Sequence, residues 1–248
     1  MKGLKGFKEF IGESSRLMKL GLVRLNQEQK EFLDEYINGS WEFDSETGLV
    51  NIDGDLLCNS EDLTDFKGIR FGRVNGDFYC YNNRLTSLEG APQLVSGSFD
   101  CSINELTSLE GAPQQVGGKF DCSRNQLTSL EGAPQEVGGN FRCSWNQLTS
   151  LEGAPQQVND EFDCSFNRLT SLEGAPEKVG GDFDCHLNQL TSLEGAPQEV
   201  GGKFRCIYNP DLQSLAGLPK LHDVYVPQHL EERLELIRAE AKKLKSKE

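Results

Sequence analysis

Phe120-Asp121-Cys122-Ser123-Arg124-Asn125-Gln126-Leu127-Thr128-Ser129-Leu130-Glu131-Gly132-Ala133-Pro134-Gln135-Glu136-Val137-Gly138-Gly139-Asn140 is one unit of a 21-residue repeat, and Phe141 and Cys143 begin the next copy. The core of the unit, Phe-x-Cys-x-x-Asn, occurs seven times between Phe78 and Asn209 without a gap in the period. Self-similarity at this period marks a solenoid, in which each coil contacts only its neighbours. All eight cysteines (Cys58, Cys80, Cys101, Cys122, Cys143, Cys164, Cys185, Cys206) fall at one repeat position, although Cys58 sits one residue early and has no Phe before it. Cysteine usage is therefore architectural. Unpaired thiols in one register suit a reducing compartment, where a buried thiol acts as a small apolar side chain, and a cytoplasmic protein is expected.

Within a coil, Phe120 and Cys122 alternate with Asp121, so Phe and Cys point inward from a short strand and the residue between them points to the surface. Asn125 follows, with a side-chain amide able to bond backbone groups as the chain turns, and a stacked Asn ladder is predicted. Leu127 and Leu130 return to the interior, Gly132 and Pro134 bend the back of the coil, and Val137 before Gly138-Gly139 closes it. Parallel strands stack about 4.7–4.9 Å apart, so eight Cys-anchored coils span on the order of 40 Å. A lone coil has nothing to bury against, and stability is collective.

Phe120-x-Cys122-x-x-Asn125-x-Leu127 resembles the second half of the leucine-rich-repeat consensus, Leu-x-x-Leu-x-Leu-x-x-Asn-x-Leu, over about residues 50 to 226. The first consensus Leu is replaced by a Gly-rich step with Val one position early, as in Val116-Gly117-Gly118. The back, Leu-Thr-Ser-Leu-Glu-Gly-Ala-Pro, is similar to the short repeats of bacterial and phage proteins. The resemblance implies a leucine-rich-repeat solenoid, a parallel β-strand stack with short non-helical backs, whose work is protein binding.

Four segments are expected: a basic leader or docking helix over 1–25, a helical cap over 26–49, the solenoid over 50–226 and a C-terminal capping helix over 227–248. Asn26 and Gln29 have capping-box spacing before the stripe Phe32, Leu33, Tyr36, Ile37, which predicts a helix over about 27–37. At the other end Pro227 opens a helix with Leu230, Leu234, Ile237, Ala241 and Leu244 on one face. The leader, Lys5-Gly6-Phe7-Lys8-Glu9-Phe10-Ile11-Gly12-Glu13, resembles those of internal head proteins of large tailed phages. In that family the leader directs packaging and is cut after an Ile- or Leu-x-Glu triplet; Ile11-Gly12-Glu13 fits. The alternative function is thus a packaged virion protein processed after Glu13.

Net charge is −14, which disfavours nucleic acid and anionic membrane as partners, because phosphate binding draws on clustered Lys and Arg. No apolar run approaches the ~20 residues of a membrane span. A monomer with a protein partner is expected. The position before Asn varies freely and reads Asn82, Ile103, Arg124, Trp145, Phe166, Leu187, Tyr208. Taken as a column on a solvated strand face, it is a candidate partner stripe, since contiguous apolar patches are rare on monomers and aromatics and Arg dominate interface energies. The middle column, with Arg142, Asp163, Asp184 and Arg205, is expected to orient a partner that the aromatic column anchors. Glu89, Glu110, Glu131, Glu152, Glu173 and Glu194 form a further ladder, which salt-screened solvation explains.

Catalytic and cofactor chemistry finds no footing. In-register cysteines do not converge tetrahedrally on a metal. His186, His222 and His229 share no zinc or nucleophile spacing with Cys or Asp, and no Gly-Lys-Ser/Thr follows the Gly-Gly corners. No enzyme, metal or cofactor is expected.

Overall fold

The structure, a computed structural model, describes residues 24–219 and 223–245. The leader, with Ile11-Gly12-Glu13, lies outside the described residues. The repeats form a parallel β-solenoid in which each full coil contributes two strands of two residues. One strand is Phe-x, from Phe78–Tyr79 through Phe120–Asp121 to Phe204–Arg205. The other ends in Val, from Leu94–Val95 through Glu136–Val137 to Glu199–Val200. Each pairs in register with its copy one coil away, Phe99↔Phe120 and Val95↔Val116 for example, so two parallel ladders run the length of the stack. The Val ladder was not foreseen as sheet; its Val was read only as the residue closing the coil.

The interior is a set of columns of identical residues. The Phe rings stack with centroids 5.1 to 5.7 Å apart between Phe78 and Phe204. Every cysteine is buried. From Cys101 to Cys206 each thiol donates to a carbonyl of the next coil at 3.2 to 3.5 Å, as Cys122 Sγ does to Arg142 O. Burial raises all eight thiols, Cys58 and Cys206 to about 12. Such thiols are protonated packing groups.

The Asn ladder is present. Asn125 Oδ1 accepts from Leu106 N at 3.0 Å, while Nδ2 donates to Cys101 O and Cys122 O at 3.1 Å and Ser123 O at 3.3 Å. One buried amide thus joins two coils and satisfies backbone groups that the turn leaves without a sheet partner.

The Gly-Gly corner is a close backbone approach: a Cβ at Gly138 would lie 2.0 Å from Gly117 O. Gly138 N and Gly139 N donate to Val116 O and Gly118 O, both at 2.9 Å. The fourth full coil, which begins at Phe141, replaces the pair with Asn159-Asp160, and there the stack is dislocated. Across that step the register holds only Val158↔Val137. Among the described residues, the N–H groups of Gln156, Asn159 and Asp160 have no backbone acceptor, whereas Gln135, Gly138 and Gly139 all do.

Two caps close the stack. Helix α1, Gln27–Tyr36, carries the predicted capping box, with Gln29 N donating to Asn26 Oδ1 at 2.8 Å and Asn26 N to Gln29 Oε1 at 3.0 Å. It leads into a hairpin that periodicity did not reveal: β1, Ile37–Asp44, runs antiparallel to β2, Leu49–Leu57, along its whole length. Nine residues let β2 start both ladders. Val50 and Ile52 pair with β3, Phe71–Val74, which leads the Val ladder, while Leu56 and Leu57 pair with Phe78 and Tyr79. At the far end the last strand, Val224–Tyr225, pairs with Phe204–Arg205. A 3-10 turn, Gln228–Leu230, and helix α2, Glu231–Lys245, follow. Leu230 and Leu234 are buried, but Ile237, predicted for the same covered face, is exposed.

Candidate protein-binding face

The residue before each Asn does not lie on a strand. It sits beyond Cys in a turn, and in all seven copies its backbone is left-handed: Asn82, Ile103, Arg124, Trp145, Phe166, Leu187 and Tyr208 have φ between 53° and 56°. The strand-face reading of this column is corrected accordingly. A left-handed conformation costs an L-residue roughly 1–2 kcal/mol, and Gly or Asn is its usual occupant. Only Asn82 follows that preference. The conformation is fixed by the stack, since the N–H groups of Ile103, Arg124, Trp145, Phe166 and Leu187 each donate to a carbonyl of the next coil at 2.9 to 3.1 Å. Such bonds are indifferent to the side chain.

The side chains project outward. Ile103 is 44%, Trp145 47%, Leu187 38% and Tyr208 65% exposed, and Phe166 is half-buried. Trp145 and Phe166 stack at 3.9 Å between centroids, closer than the core Phe rings, with Arg124 Cζ 5.1 Å from the Trp145 ring and the His186 ring edge-on to Phe166 at 4.9 Å. The turn therefore carries an apolar and aromatic ladder, Trp145 to Tyr208 occupying consecutive coils.

The middle column differs from the sequence expectation of a surface row. Asp100, Asp121 and Asp184 are buried. Their carboxylates bond the chain's own turn: Asp121 Oδ1 accepts from Ser123 N at 3.0 Å and from Ser123 Oγ, Asp163 does the same with Ser165, and Asp184 accepts from His186 N at 3.1 Å and meets His186 Nδ1 at 2.6 Å. An Asp-x-Ser/His pair of this kind satisfies the backbone ahead of the left-handed residue.

Cations bridge neighbouring coils. Lys119 Nζ lies 3.0 Å from Asp100 and 3.1 Å from Asp121, Arg142 2.7 Å from Glu161, and Arg205 2.9 Å from Asp182 and 3.7 Å from Asp184. Burial pulls the Lys119 ammonium down, yet Asp121 and Asp100 outweigh it and hold its pKa above the ordinary value. The Glu161 hydrogen bond likewise raises Arg142 against partial burial. Asp163, Asp184, Arg142 and Arg205 thus have intrachain work, and the charges that remain partly exposed flank the ladder.

On the Val side a shallow groove of about 760 Å³ is floored by Gly117 and Gly138 and walled by Gln115, Gln135 and Gln157. Leu94, Val137 and Glu136 also line it, and its lining contains neither an aromatic ring nor a cation. The backbone N–H groups of the exposed Glu89, Glu110, Glu152, Glu173 and Glu194 each donate to the hydroxyl oxygen of the Ser two residues before, a local turn bond. No described helix is long and apolar enough to cross a membrane. The signal that sequence reading missed was Asn82: a left-handed-tolerant residue heading a column of residues that are not. No protein-family model, no curated protein and no solved structure matches this chain.

Proposed function

We propose that the chain is a non-catalytic protein-recognition module of the leucine-rich-repeat kind, binding a protein partner through the turn ladder from Ile103 to Tyr208. One observation carries this reading: six consecutive copies of a left-handed position hold large side chains where the fold favours Gly or Asn. Strained backbone persists at positions that serve a purpose other than folding. The ring contacts do not offset the cost, because two ring pairs at ~0.5–1.5 kcal/mol each and one exposed cation–π contact at ~0.5–1 kcal/mol stand against roughly 1–2 kcal/mol for each of six residues. Among the described residues, Ile103, Leu187 and Tyr208 take no part in these ring contacts. The phage-type repeat and leader favour a partner among host or virion proteins, and the net charge of −14 favours a protein over nucleic acid or an anionic membrane.

The test is capture from host lysate and from purified virions by the wild-type chain and by Trp145→Asn/Phe166→Asn. Asn suits the left-handed turn, so the variant is expected to melt no lower than the wild type while losing the captured protein. A partner retained by the folded variant would sink the ladder as the binding face.

A further inference from the structure

We propose that the partner which the ladder fits is a second copy of this chain, laid face to face and antiparallel. The two-fold axis runs parallel to the strands and passes between the coils of Trp145 and Phe166. This inference rests on the ladder being a protein-binding face and adds the identity of what covers it.

A two-fold axis in this orientation sets each column against the same column of the other copy with coil order reversed, as an isologous contact requires. Ile103 then meets Tyr208 of the second copy, Arg124 meets Leu187, and Trp145 meets Phe166, which places four aromatic rings at the centre. Energetically dominant residues cluster at interface centres, and Trp and Arg are prominent among them.

The charges flanking the ladder select this register. Among the partly exposed groups Arg142 falls opposite Asp163, and in the column before Phe, Lys119 falls opposite Asp182 and Asn140 opposite Glu161. Asp100, Asp121 and Asp184 are buried and neutralised within each chain, by Lys119 and by Arg205, and stay out of the contact. Sliding the copies one coil in one direction sets Asp163 on Asp163, Glu161 on Glu161 and Lys119 on Lys203. Sliding the other way sets Arg142 on Arg142 and takes Asp163 away from its guanidinium partner. Like-charge juxtaposition excludes registers as effectively as attraction selects one.

The area fixes the kind of dimer. Six coils at ~4.8 Å by the five residue steps from the column before Phe to the ladder, at most ~17 Å, give roughly 500 Å² per copy, or about 1,000 Å² in total, below the standard range and in that of weak, transient contacts. The dimer is therefore reversible and concentration-dependent, unlike the monomer expected from sequence.

Sedimentation equilibrium of the full chain between about 1 and 300 µM tests the proposal. The wild type is expected to shift from monomer to dimer, and Trp145→Asn/Phe166→Asn, which alters the contact twice per dimer, to weaken it at least ~100-fold without lowering the melting temperature. Arg142→Glu and Asp163→Arg are each expected to weaken self-association. An equimolar mixture of the two separately purified variants should restore a heterodimer, because both contacts between positions 142 and 163 then pair a carboxylate with a guanidinium. A wild type that stays monomeric throughout the range overturns self-pairing and leaves the ladder to a different protein. A dimer that survives loss of Trp145 and Phe166 overturns self-pairing through this ladder, and capture of another protein by that variant would overturn the recognition face itself. If charge variants unfold, the aromatic variant alone decides.

Discussion

At an ordinary position Gly is less stabilising than Ala; at the left-handed column the order should reverse. Tyr208 is the cleanest site: its φ is 56° and its side chain is 65% exposed, so side-chain loss is nearly common to both replacements. Ala there retains the left-handed penalty of roughly 1–2 kcal/mol, which Gly lacks. Gly gives back about 0.4–1 kcal/mol through the greater freedom of the unfolded chain. The net advantage of Tyr208→Gly over Tyr208→Ala is about 1 kcal/mol, equivalent to ~2–4 °C in melting temperature for a chain of this size. Ile103, with φ 54°, lies five coils away, roughly 24 Å along the stack, so the same exchange there should add independently. The Gly/Gly double variant should then melt about 4–8 °C above the Ala/Ala one. Gln126, exposed and without a positive φ, is the control at which Ala is expected to win. Thermal melts by circular dichroism on the six single and two double variants are sufficient. If Ala equals or exceeds Gly at both 103 and 208, the strain does not exist and the functional argument built on it falls.

Three further outcomes follow from the interior. The eight thiols are raised by burial, to about 12 at Cys58 and Cys206, so the unfolded chain loses its thiol protons first: stability should be intact below about pH 8.5 and fall as pH rises towards the folded values. With ~1.4 kcal/mol per thiol per pH unit, unfolding is expected near pH 10, and a native far-ultraviolet spectrum at pH 11 would refute it. Asn125→Ala strands Leu106 N and takes one of two donors from each of the Cys101, Cys122 and Ser123 carbonyls, and should cost about 1–3 kcal/mol in chemical denaturation, against less than about 0.5 kcal/mol for Gln126→Ala. In hydrogen exchange the amides of Gln156, Asn159 and Asp160 should exchange faster than those of Gln135, Gly138 and Gly139, and equal protection would contradict the dislocation.

How much of this was legible depended on whether a feature repeats. Phe, Cys, Asn, both Leu and Val recur at fixed spacing, and a position that recurs in register must face its own copies, so the core columns and the Asn ladder could be read directly. The capping box at Asn26 and Gln29 was legible because it is local. The hairpin of β1 and β2 was not, for it occurs once, its strand Ile37–Asp44 has no clean alternation, and its pairing depends on the Gly39–Gly54 crossing, where a Cβ on Gly39 would sit 2.3 Å from Asp53 O. The middle column misled for a physical reason: alternation says which way a side chain leaves the strand, but Asp121 folds back on Ser123 and Lys119, and so is buried. The ladder residues were picked out by chemistry and put on the wrong element, since sequence spacing does not report the sign of φ.

That sign changes what the ladder means. On a strand face, large apolar residues are compatible with ordinary β preferences, and their presence could be put down to the sheet itself. On a left-handed turn no such preference exists; Ile103, being β-branched, is among the poorest choices available. The scaffold tolerates these residues because the coil-to-coil bond from the turn N–H is made whatever the side chain, and because identical buried columns continue above and below each coil. The same backbone bonds that make the turn costly for an Ile or a Trp make it interchangeable without loss of a hydrogen bond. A repeat that keeps its inward columns constant and lets this one position vary therefore separates folding from display, and it is in the varied, strained column that an interaction surface is to be sought.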